Sequence, residues 1–318
     1  MPQANNNHRT IGDATSALHR SELQMAERVT HESAPNCFIE ANGVRYAYRR
    51  FGVPSGTPLL FLQHFRGNLD NWDPAVVNPI AENHDVILFD NAGVGGSSGV
   101  ADTSVSAMAD HLADFVAALG LETIDLLGFS TGGFVAQQFT LDHPAMVRRL
   151  VLAGTGPEGG KGMERYSDQI AAHALVDVPG PEDLVYLFFA PSETSQSAGV
   201  AFVERLGTRT GEPDAPTTLQ VRDAQLKAVE AWGAPRDGDY TRLKSIKQPT
   251  LVVNGVSDAM VPSINSVILA QNLRMGFLSL YPDAGHGGIF QYADLFATQV
   301  VSFLRPERWV SRSEFLSY

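Results

Sequence analysis

One serine in this chain stands where it could act as a nucleophile. Ser130 lies in the run Gly128-Phe129-Ser130-Thr131-Gly132, which follows a short apolar run and precedes a helical pattern. A serine on a sharp turn between a strand and a helix projects its oxygen from the edge of a sheet, near the positive end of the helix dipole. The glycines leave room for that strained turn. We therefore predict Ser130 as the nucleophile of a covalent reaction.

A serine hydroxyl needs a base that takes its proton, and histidine suits this role. For a serine on such a turn, the partners follow in the order Ser, then Asp or Glu, then His. Of the nine histidines, His173 and His286 lie usefully downstream of Ser130. His286 lies among glycines in a loop after an apolar run, which gives its ring the freedom to enter a cleft. We predict His286 as the base and interpret His173 as a space-filling or solvent-facing residue.

An acid has to hold the imidazole in the correct tautomer and stabilise its charged form. Asp258 follows the apolar run at 251–253 and is predicted to hang from the carboxyl end of a strand. Asp283 is closer to His286 in the chain, but it stands at the start of the same loop, where we expect it to shape the turn. We therefore predict Asp258 as the acid.

Acyl transfer at a carbonyl also needs two backbone donors about 3 Å from the oxygen that becomes negative. One is expected to be the N–H of Thr131, directly after the nucleophile. The other is expected from the loop 63–67, which follows an apolar run, and we favour the N–H of Phe65. His64 and Arg66 in this loop are open to two interpretations, a contact with substrate or a structural role.

The elements that would position these residues follow from the hydrophobic pattern. Asn42-Gly43 between two strand-like runs indicates a hairpin. Short apolar runs at 59–62, 86–89, 124–127 and 150–153 are typical of strands buried on both faces of a parallel sheet, and further strand-like runs lie at 250–253 and 277–280. Helical patterns lie between and after them, at 105–119, from 132 or 133 to before Pro144, at 263–273 and at 289–304. This alternation predicts an α/β fold with a mostly parallel central sheet flanked by helices.

The alternation is interrupted between residues 157 and 239, where helix-like segments at 183–190 and 218–232 occur without a clear buried strand. We interpret this insertion as a helical cap. Its aromatic run at 186–189 and Trp232 are expected either to line an apolar acyl pocket or to pack the cap on itself. The predicted organisation is a polar extension at 1–35, a core at 36–156 and 240–306, the cap at 157–239 and a tail at 307–318. An amphipathic piece at 16–29 could form a short helix, and the extension is open to two interpretations, a mobile tail or an arm that docks on the body or on a partner.

Taken together, these motifs resemble the α/β-hydrolase superfamily, specifically its serine esterase, haloperoxidase and perhydrolase-like branch, over residues 36–305. The resemblance also rests on the run at 89–98, and it implies that Asp90 and Ser97 there belong to the scaffold. One site departs from the pattern. Relatives usually carry His-Gly before the oxyanion residue, whereas this chain has Gln63 and His64 in those places. Phe65 still falls on the oxyanion position.

The resemblance implies a serine hydrolase that works through an acyl-enzyme. Similar folds that open epoxides or remove halide carry an aspartate in place of Ser130, which argues against both reactions. We predict a carboxylesterase-like enzyme that cleaves a small or medium apolar ester or lactone. Two alternatives stay open, a carbon–carbon bond hydrolase of diketones and a non-catalytic receptor for a small molecule. The chain has no metal-ligand motif and no phosphate-binding loop, so neither a metal nor a cofactor is expected.

Composition limits the partners. The formal net charge of −12 disfavours nucleic acid, and a small-molecule substrate is expected instead. We interpret the pairs Arg49-Arg50 and Arg148-Arg149 as solvated strand edges and helix ends. The single cysteine, Cys37, excludes an intrachain disulfide, and no run approaches the roughly 20 apolar residues of a membrane helix. We expect a cytoplasmic protein without membrane contact, whose aromatic tail docks on the core or on a second subunit of a homodimer.

Overall fold

The computed structural model describes residues 29–305, apart from residues 55, 237 and 238. Its centre is one sheet with eight strands: β1 (Cys37–Ala41), β2 (Val44–Gly52), β3 (Leu59–Leu62), β4 (Asp85–Phe89), β5 (Ile124–Phe129), β6 (Val147–Ala153), β7 (Thr250–Gly255) and β8 (Gly276–Tyr281). Their spatial order is β1-β2-β4-β3-β5-β6-β7-β8. The pairs β1–β2 and β2–β4 are antiparallel, and the remaining pairs are parallel. The predicted mostly parallel sheet is therefore confirmed.

The first two strands form the predicted hairpin. Ala41 pairs with Val44, so the turn has two central residues. Asn42 has a φ of 48° and Gly43 a φ of 82°. Two consecutive positive φ values match the twist of antiparallel strands, and asparagine and glycine are the residues that adopt them at low cost.

Ten helices surround the sheet within the described ranges: α1 (Pro74–Ala81), α2 (Val105–Ala118), α3 (Thr131–Asp142), α4 (Asp168–Ala174), α5 (Pro181–Phe188), α6 (Glu193–Leu206), α7 (Leu219–Gly233), α8 (Ile264–Asn272), α9 (Gly288–Gln291) and α10 (Ala293–Leu304). Two short 3-10 turns lie at Leu69–Asn71 and Thr241–Ser245. Within α2 the Ser104 side chain caps the first turn, and Gly120 follows the last turn with a φ of 66°. These are the expected start and stop signals.

Alternate residues of the buried strands point to opposite faces of the sheet. In β3, Leu59 and Phe61 pack in the hydrophobic cluster that contains residues of α1 and α10. Leu60 and Leu62 pack in a second cluster, with residues of α2, α3 and α8. Both faces are therefore covered by helices, which explains why β3 reads as a continuous apolar run.

Helices α4 to α7 form the insertion between β6 and β7. They agree with the helix-like segments expected in this stretch, since Pro181–Phe188 and Leu219–Gly233 lie close to the predicted positions. The insertion contacts the loop after β8, where the Gly287 N–H donates to the Phe188 carbonyl at 2.6 Å. It thus lies against the carboxyl end of the sheet. The exact domain boundaries stay predictions.

The glycine-rich loop after β4 holds two buried polar residues. Ser97 accepts a hydrogen bond from the Ala47 N–H and donates one to the Asp90 carbonyl, both at 2.8 Å. The Asp90 carboxyl is buried, and a Cβ built on Gly95 would lie 2.2 Å from it and 2.3 Å from the Asp214 carboxyl. Burial and the neighbouring Asp214 raise the pKa of Asp90 well above its usual range. These contacts are those of a scaffold loop.

Two expectations about local structure are wrong. The helix predicted at 289–304 is broken at Tyr292, whose φ of −111° and ψ of 43° separate α9 from α10. Arg49 and Arg149 are buried rather than solvated. The Arg49 guanidinium pairs with Asp70 at 2.5 Å, and that of Arg149 donates to the Leu304 carbonyl at 2.7 Å. Buried arginine is tolerated because its donors are matched in this way.

Some predictions concern residues outside the described ranges. These are the short helix at 16–29, except for its last residue, and the aromatic tail at 307–318 with its docking on the core or a second subunit. Across residues 29–305, with the gaps stated above, none of the helices is long and apolar enough to span a lipid bilayer. The cytoplasmic location stays a prediction.

Candidate active site

Ser130 connects β5 to α3 in a strained conformation. Its φ of 56° and ψ of −120° lie outside the regions that non-glycine residues favour. Hydrogen bonds to both backbone groups of Ser130 hold it there. Its N–H donates to the Ala153 carbonyl at 2.9 Å. Its carbonyl accepts from the Gly133 N–H at 2.9 Å and from the Thr155 hydroxyl at 2.8 Å. The turn predicted from the sequence is present.

The glycines beside Ser130 are required by close backbone contacts. A Cβ built on Gly132 would lie 2.1 Å from the Leu62 carbonyl oxygen, and one on Gly128 would lie 2.4 Å from the Gly132 carbonyl oxygen. Helix α3 can therefore start directly against β3 and β5. Its N-terminus, with the positive end of the helix dipole, lies at the serine.

His286 and Asp258 meet at the carboxyl end of the sheet. The His286 Nδ1 lies 2.8 Å from Asp258 Oδ2, and both side chains are buried. Asp258 Oδ1 accepts the N–H groups of Met260 and Val261 at 2.8 and 2.9 Å. Asp258 follows β7 and His286 follows β8, as expected from their positions after apolar runs. The carboxylate is thus held in one orientation toward the imidazole.

This contact assigns the tautomer of His286. An ionised carboxylate only accepts hydrogen bonds, so Nδ1 carries the proton and donates it to Asp258. Nε2 then presents a lone pair, and it has no hydrogen-bond partner among the described residues although it is buried. The phenyl ring of Phe129 lies 5.0 Å from the imidazole and that of Phe188 5.6 Å. His286 is therefore placed as a base with an open acceptor.

The two rival residues, Asp283 and His173, each bond a side chain other than Ser130, Asp258 or His286. Asp283 stands on an exposed turn with a φ of 50°, where its carboxylate accepts a hydrogen bond from the Ser192 hydroxyl at 2.8 Å. His173 belongs to the insertion, and its Nδ1 lies 2.7 Å from the Asp183 carboxylate, while its ring stacks on Tyr186 at 3.9 Å. His173 also lines the cavity beside Ser130, so it faces that space without contacting His286.

The loop after β3 carries the Phe65 N–H. A turn closes from the His64 carbonyl to the Gly67 N–H at 3.0 Å. The Gln63 side chain accepts the His64 N–H at 2.9 Å and donates to the Asn68 carbonyl at 3.2 Å. Gln63, which stands where relatives usually carry histidine, thus stabilises the loop through its two hydrogen bonds, one to His64 and one to Asn68.

The two predicted donors are both available. Neither the Phe65 N–H nor the Thr131 N–H donates to another group of the described chain. Thr131 is the first residue of α3, where backbone N–H groups lack helical partners. Phe65 lines the same cavity as Ser130 and His286. The arrangement leaves two N–H groups for a negatively charged oxygen.

His64 is a neutral residue at this site. Burial lowers the pKa of His64 to about 4. Its Nδ1 lies 2.9 Å from the Phe65 carbonyl, and its ring packs edge-on against Phe129 and Phe188. The imidazole lines the cavity as well, so it combines a structural contact with access to a bound molecule.

Ser130 opens into a cavity of about 430 Å³ between the core and the insertion. That volume suits a small or medium-sized organic molecule. Two groups of side chains line the cavity beyond the catalytic candidates. The apolar group consists of Ala174, Val178, Pro179, Leu184, Leu187, Phe188, Pro216 and Met260, and the polar group includes Asn68, Asp70, Asn71, Asp214 and Thr217.

Only part of the aromatic segment predicted for an acyl pocket lies here. Leu187 and Phe188 line the cavity, whereas Phe189 packs on Phe202 with ring centroids 5.7 Å apart. Trp232 stacks on Phe134 at 5.3 Å and lines a separate cavity of about 200 Å³. Of the two expectations for Trp232, lining the cavity beside Ser130 is not met, because Trp232 packs on the core helix α3 instead.

Two features of the site were not predicted from the sequence. They are the polar side chains that line the cavity and the contacts that the insertion makes with the loop at 63–67. Asp214 and Gln225 lie about 150 positions away from that loop, and no local pattern marks them. For a metal, the described part of the chain offers no group of three or more His, Cys, Asp or Glu side chains arranged as ligands.

Comparisons with known proteins agree with this architecture. The solved structure of an alpha/beta hydrolase fold protein from Chitinophaga pinensis superimposes with a TM-score of 0.83 at 40% sequence identity, covering 88% of this chain and 100% of that one. A protein of Variovorax paradoxus named putative carbamate hydrolase RutD is 26% identical over 262 residues, which are 81% of this chain and 95% of the relative. The poly(3-hydroxyalkanoate) depolymerase of Ectopseudomonas oleovorans is 28% identical over 289 residues, 85% of this chain and 92% of the relative.

The model of the family described as the alpha/beta hydrolase fold matches residues 57–292, which is most of the chain and includes the Ser130 turn, Asp258 and His286. The resemblance to the superfamily is thereby confirmed, while the esterase, haloperoxidase and perhydrolase-like branch stays a prediction. The chain belongs to the α/β-hydrolase fold family.

Proposed function

We propose that the protein is a serine hydrolase that cleaves a small or medium apolar carboxylic ester or lactone, with Ser130, His286 and Asp258 as its catalytic triad. One observation carries the proposal. The 2.8 Å contact between His286 Nδ1 and Asp258 Oδ2 leaves Nε2 without a partner among the described residues, and His286 and Ser130 line the same cavity. A base with an assigned tautomer beside a strained serine suits proton abstraction from the hydroxyl.

The reaction follows from these positions. His286 Nε2 takes the Ser130 proton as the Ser130 oxygen attacks the carbonyl carbon. The N–H groups of Phe65 and Thr131 stabilise the oxyanion that forms. His286 then gives the proton to the leaving alkoxide, and an acyl-enzyme remains. A water molecule, deprotonated by the same nitrogen, attacks the acyl carbon, and collapse of the second oxyanion releases the acid and restores the Ser130 hydroxyl.

The substrate class rests on the cavity and on the relatives. Leu184, Leu187 and Met260 give an apolar wall for the acyl chain. The names of two relatives, a poly(3-hydroxyalkanoate) depolymerase and a putative carbamate hydrolase, both concern a carbonyl bonded to a heteroatom. We infer that the insertion acts as a cap that encloses the acyl group, since its helix α5 supplies most of that wall.

The test is turnover of p-nitrophenyl esters of increasing chain length by the wild type and by Ser130→Ala. We expect Ser130→Ala to lose at least about 10³-fold in kcat, because the nucleophile is removed. Ser266→Ala is the matched control. Ser266 is equally buried on α8, and its hydroxyl has no partner among the described residues, so its loss should leave kcat within about 2-fold of wild type.

Two outcomes would replace the proposal. Turnover of a vinylogous diketone without any ester or lactone turnover would make the protein a carbon–carbon bond hydrolase. Absence of turnover on all three classes, with tight binding of a small apolar ligand retained by Ser130→Ala, would make it a receptor.

A further inference from the structure

The turn that carries the Phe65 N–H has an unusual residue at its strained position. Arg66 follows Phe65 and has a φ of 62° in the turn from His64 to Gly67. That position of a turn favours glycine, since a side chain in the left-handed region costs about 1 kcal/mol or more. Surrounding contacts must therefore hold Arg66 in this conformation.

Those contacts come from the insertion. The Arg66 N–H donates to Oε1 of Gln225 at 2.6 Å, and Gln225 is a buried residue of α7, 159 positions further along the chain. On the other side of the same peptide group, the Phe65 carbonyl lies 2.9 Å from Nδ1 of His64. Because His64 is neutral and Nδ1 faces a carbonyl, Nδ1 donates. The Phe65–Arg66 peptide group is thus held at both ends.

The Arg66 side chain makes a second connection to the insertion. Its guanidinium donates to the carbonyls of Val176 at 2.6 Å and Asp177 at 2.8 Å, with a longer contact of 3.4 Å to Ala174. These carbonyls lie at and after the end of α4, where helices leave acceptors without partners. Both the backbone and the side chain of Arg66 are therefore held by the insertion.

The direction of the Phe65 N–H depends on this turn. A planar trans peptide places its N–H opposite its C=O. The His64 carbonyl accepts the Gly67 N–H, so the N–H of the same peptide group, that of Phe65, points away from Gly67. If the turn relaxes, the N–H loses its fixed direction. An oxyanion donor that is displaced by about 1 Å loses much of its effect.

We propose that Gln225 is a positioning residue for the reaction. Its side-chain carbonyl stabilises the left-handed conformation of Arg66 and thereby aims the Phe65 N–H at the oxyanion, so that the insertion directly supports the oxyanion site. This inference rests on the proposed function, because it requires acyl transfer at Ser130.

The first variant to test is Gln225→Met, which keeps the length of the side chain and removes the acceptor. We expect kcat for a p-nitrophenyl ester to fall about 10- to 100-fold with KM changed less than 3-fold, since the donor acts on the transition state. Gln225→Glu keeps an oxygen acceptor and is expected to restore kcat to within about 3-fold of wild type. Gln220→Met, on an exposed position of the same helix, is the matched control and should match wild type.

Two further measurements separate positioning from a loss of fold. Active-site titration with a fluorophosphonate counts the competent enzyme, so kcat refers to folded molecules only. The affinity for an aliphatic trifluoromethyl ketone, which forms an oxyanion with Ser130, should fall by the same factor as kcat in Gln225→Met. The affinity for the corresponding secondary alcohol, which forms none, should stay within about 3-fold.

The outcomes are distinct. A Gln225→Met variant with wild-type kcat per titrated site, or one that loses affinity for the ketone and the alcohol equally, would refute the positioning role while leaving the proposed function intact. Failure of Gln225→Glu to recover would refute it as well. A wild type without Ser130-dependent turnover would instead refute the proposed function itself.

Discussion

Replacement of Asp258 by asparagine tests the assignment of the acid. Asp258 Oδ1 accepts two backbone N–H groups, from Met260 and Val261, and Oδ2 faces Nδ1 of His286. In Asp258→Asn the amide oxygen should stay on the two backbone donors. If the amide turned around, its NH₂ group would face the N–H groups of Met260 and Val261, and both of their hydrogen bonds would be lost. Each of these two buried N–H groups left without an acceptor costs about 1–3 kcal/mol. The NH₂ group therefore faces His286.

An NH₂ group that faces Nδ1 reverses the tautomer of His286. Nδ1 then accepts a hydrogen bond, the proton moves to Nε2, and the ring can no longer take the proton of Ser130. The loss in a comparable triad is about 10⁴-fold in kcat. An amide that turned around would restore the active tautomer, so the loss is limited by the cost of turning it, roughly 2–6 kcal/mol. At about 1.4 kcal/mol for each factor of ten, this cost corresponds to a loss of about 30- to 10⁴-fold. We expect kcat of Asp258→Asn to fall within this range with an unchanged melting temperature.

The assay is p-nitrophenyl ester turnover, with the unfolding transition followed by circular dichroism. Asp283→Asn is the matched control, because Asp283 is closer to His286 in the chain but bonds the Ser192 hydroxyl on an exposed turn. Asparagine tolerates its φ of 50°. We expect its kcat to stay within about 2-fold of wild type. More than a tenth of the wild-type kcat in Asp258→Asn, or a large loss in Asp283→Asn, would refute the reasoning.

The remaining predictions concern stability and its pH dependence. Burial and Asp214 raise the pKa of Asp90 above 3.8, so the folded state keeps the Asp90 proton to a higher pH than the unfolded state does. The free energy of unfolding should therefore decline as the pH rises from 3.8. Asp90→Asn, which stays neutral, should flatten this decline in thermal melts. Burial lowers the pKa of His31 from 6.5 to about 4. The free energy of unfolding, measured with urea, should therefore fall by up to about 3 kcal/mol between pH 6.5 and pH 4. This fall should be smaller in His31→Phe. Gly132→Ala should lower the free energy of unfolding by about 3 kcal/mol, because its Cβ would lie 2.1 Å from the Leu62 carbonyl oxygen.

Each of these has its own control. Asp214→Asn should also weaken the decline with rising pH, and a wild-type slope in Asp90→Asn would contradict the assignment. The same acid-induced loss in His31→Phe as in wild type would show that His31 is not responsible. Gly207→Ala should change stability little, because its Cβ would meet only the Glu204 carbonyl at 3.4 Å. An equal effect of both glycine variants would count against the contact with Leu62.

The sheet and the order of the triad candidates could be predicted because they depend on local patterns. β3 is buried on both faces, so its residues read as one apolar run, and the Asn42-Gly43 turn is recognisable from two residues. Ser130, Asp258 and His286 each follow a strand. Since the carboxyl ends of parallel strands share one edge of the sheet, their proximity follows from topology.

The rest depends on contacts between distant parts of the chain. Arg49 looked solvated because its partner, Asp70, becomes its neighbour only in the fold. The link from Arg66 to Gln225 joins two residues 159 positions apart. A large aromatic side chain such as Trp232 suits an apolar pocket, but α7 places it against Phe134. The break at Tyr292 is likewise invisible in a helical pattern that continues on both sides.

Covalent labelling of Ser130 tests the central claim most directly. The wild-type protein is treated with an alkyl fluorophosphonate, the intact mass is measured, and the modified residue is located by peptide mass spectrometry. A nucleophile that is activated by His286 should take up one equivalent on Ser130, and Ser130→Ala should take up none. No labelling of the folded wild-type protein, or a label on another residue, would contradict the assignment of Ser130 as the nucleophile.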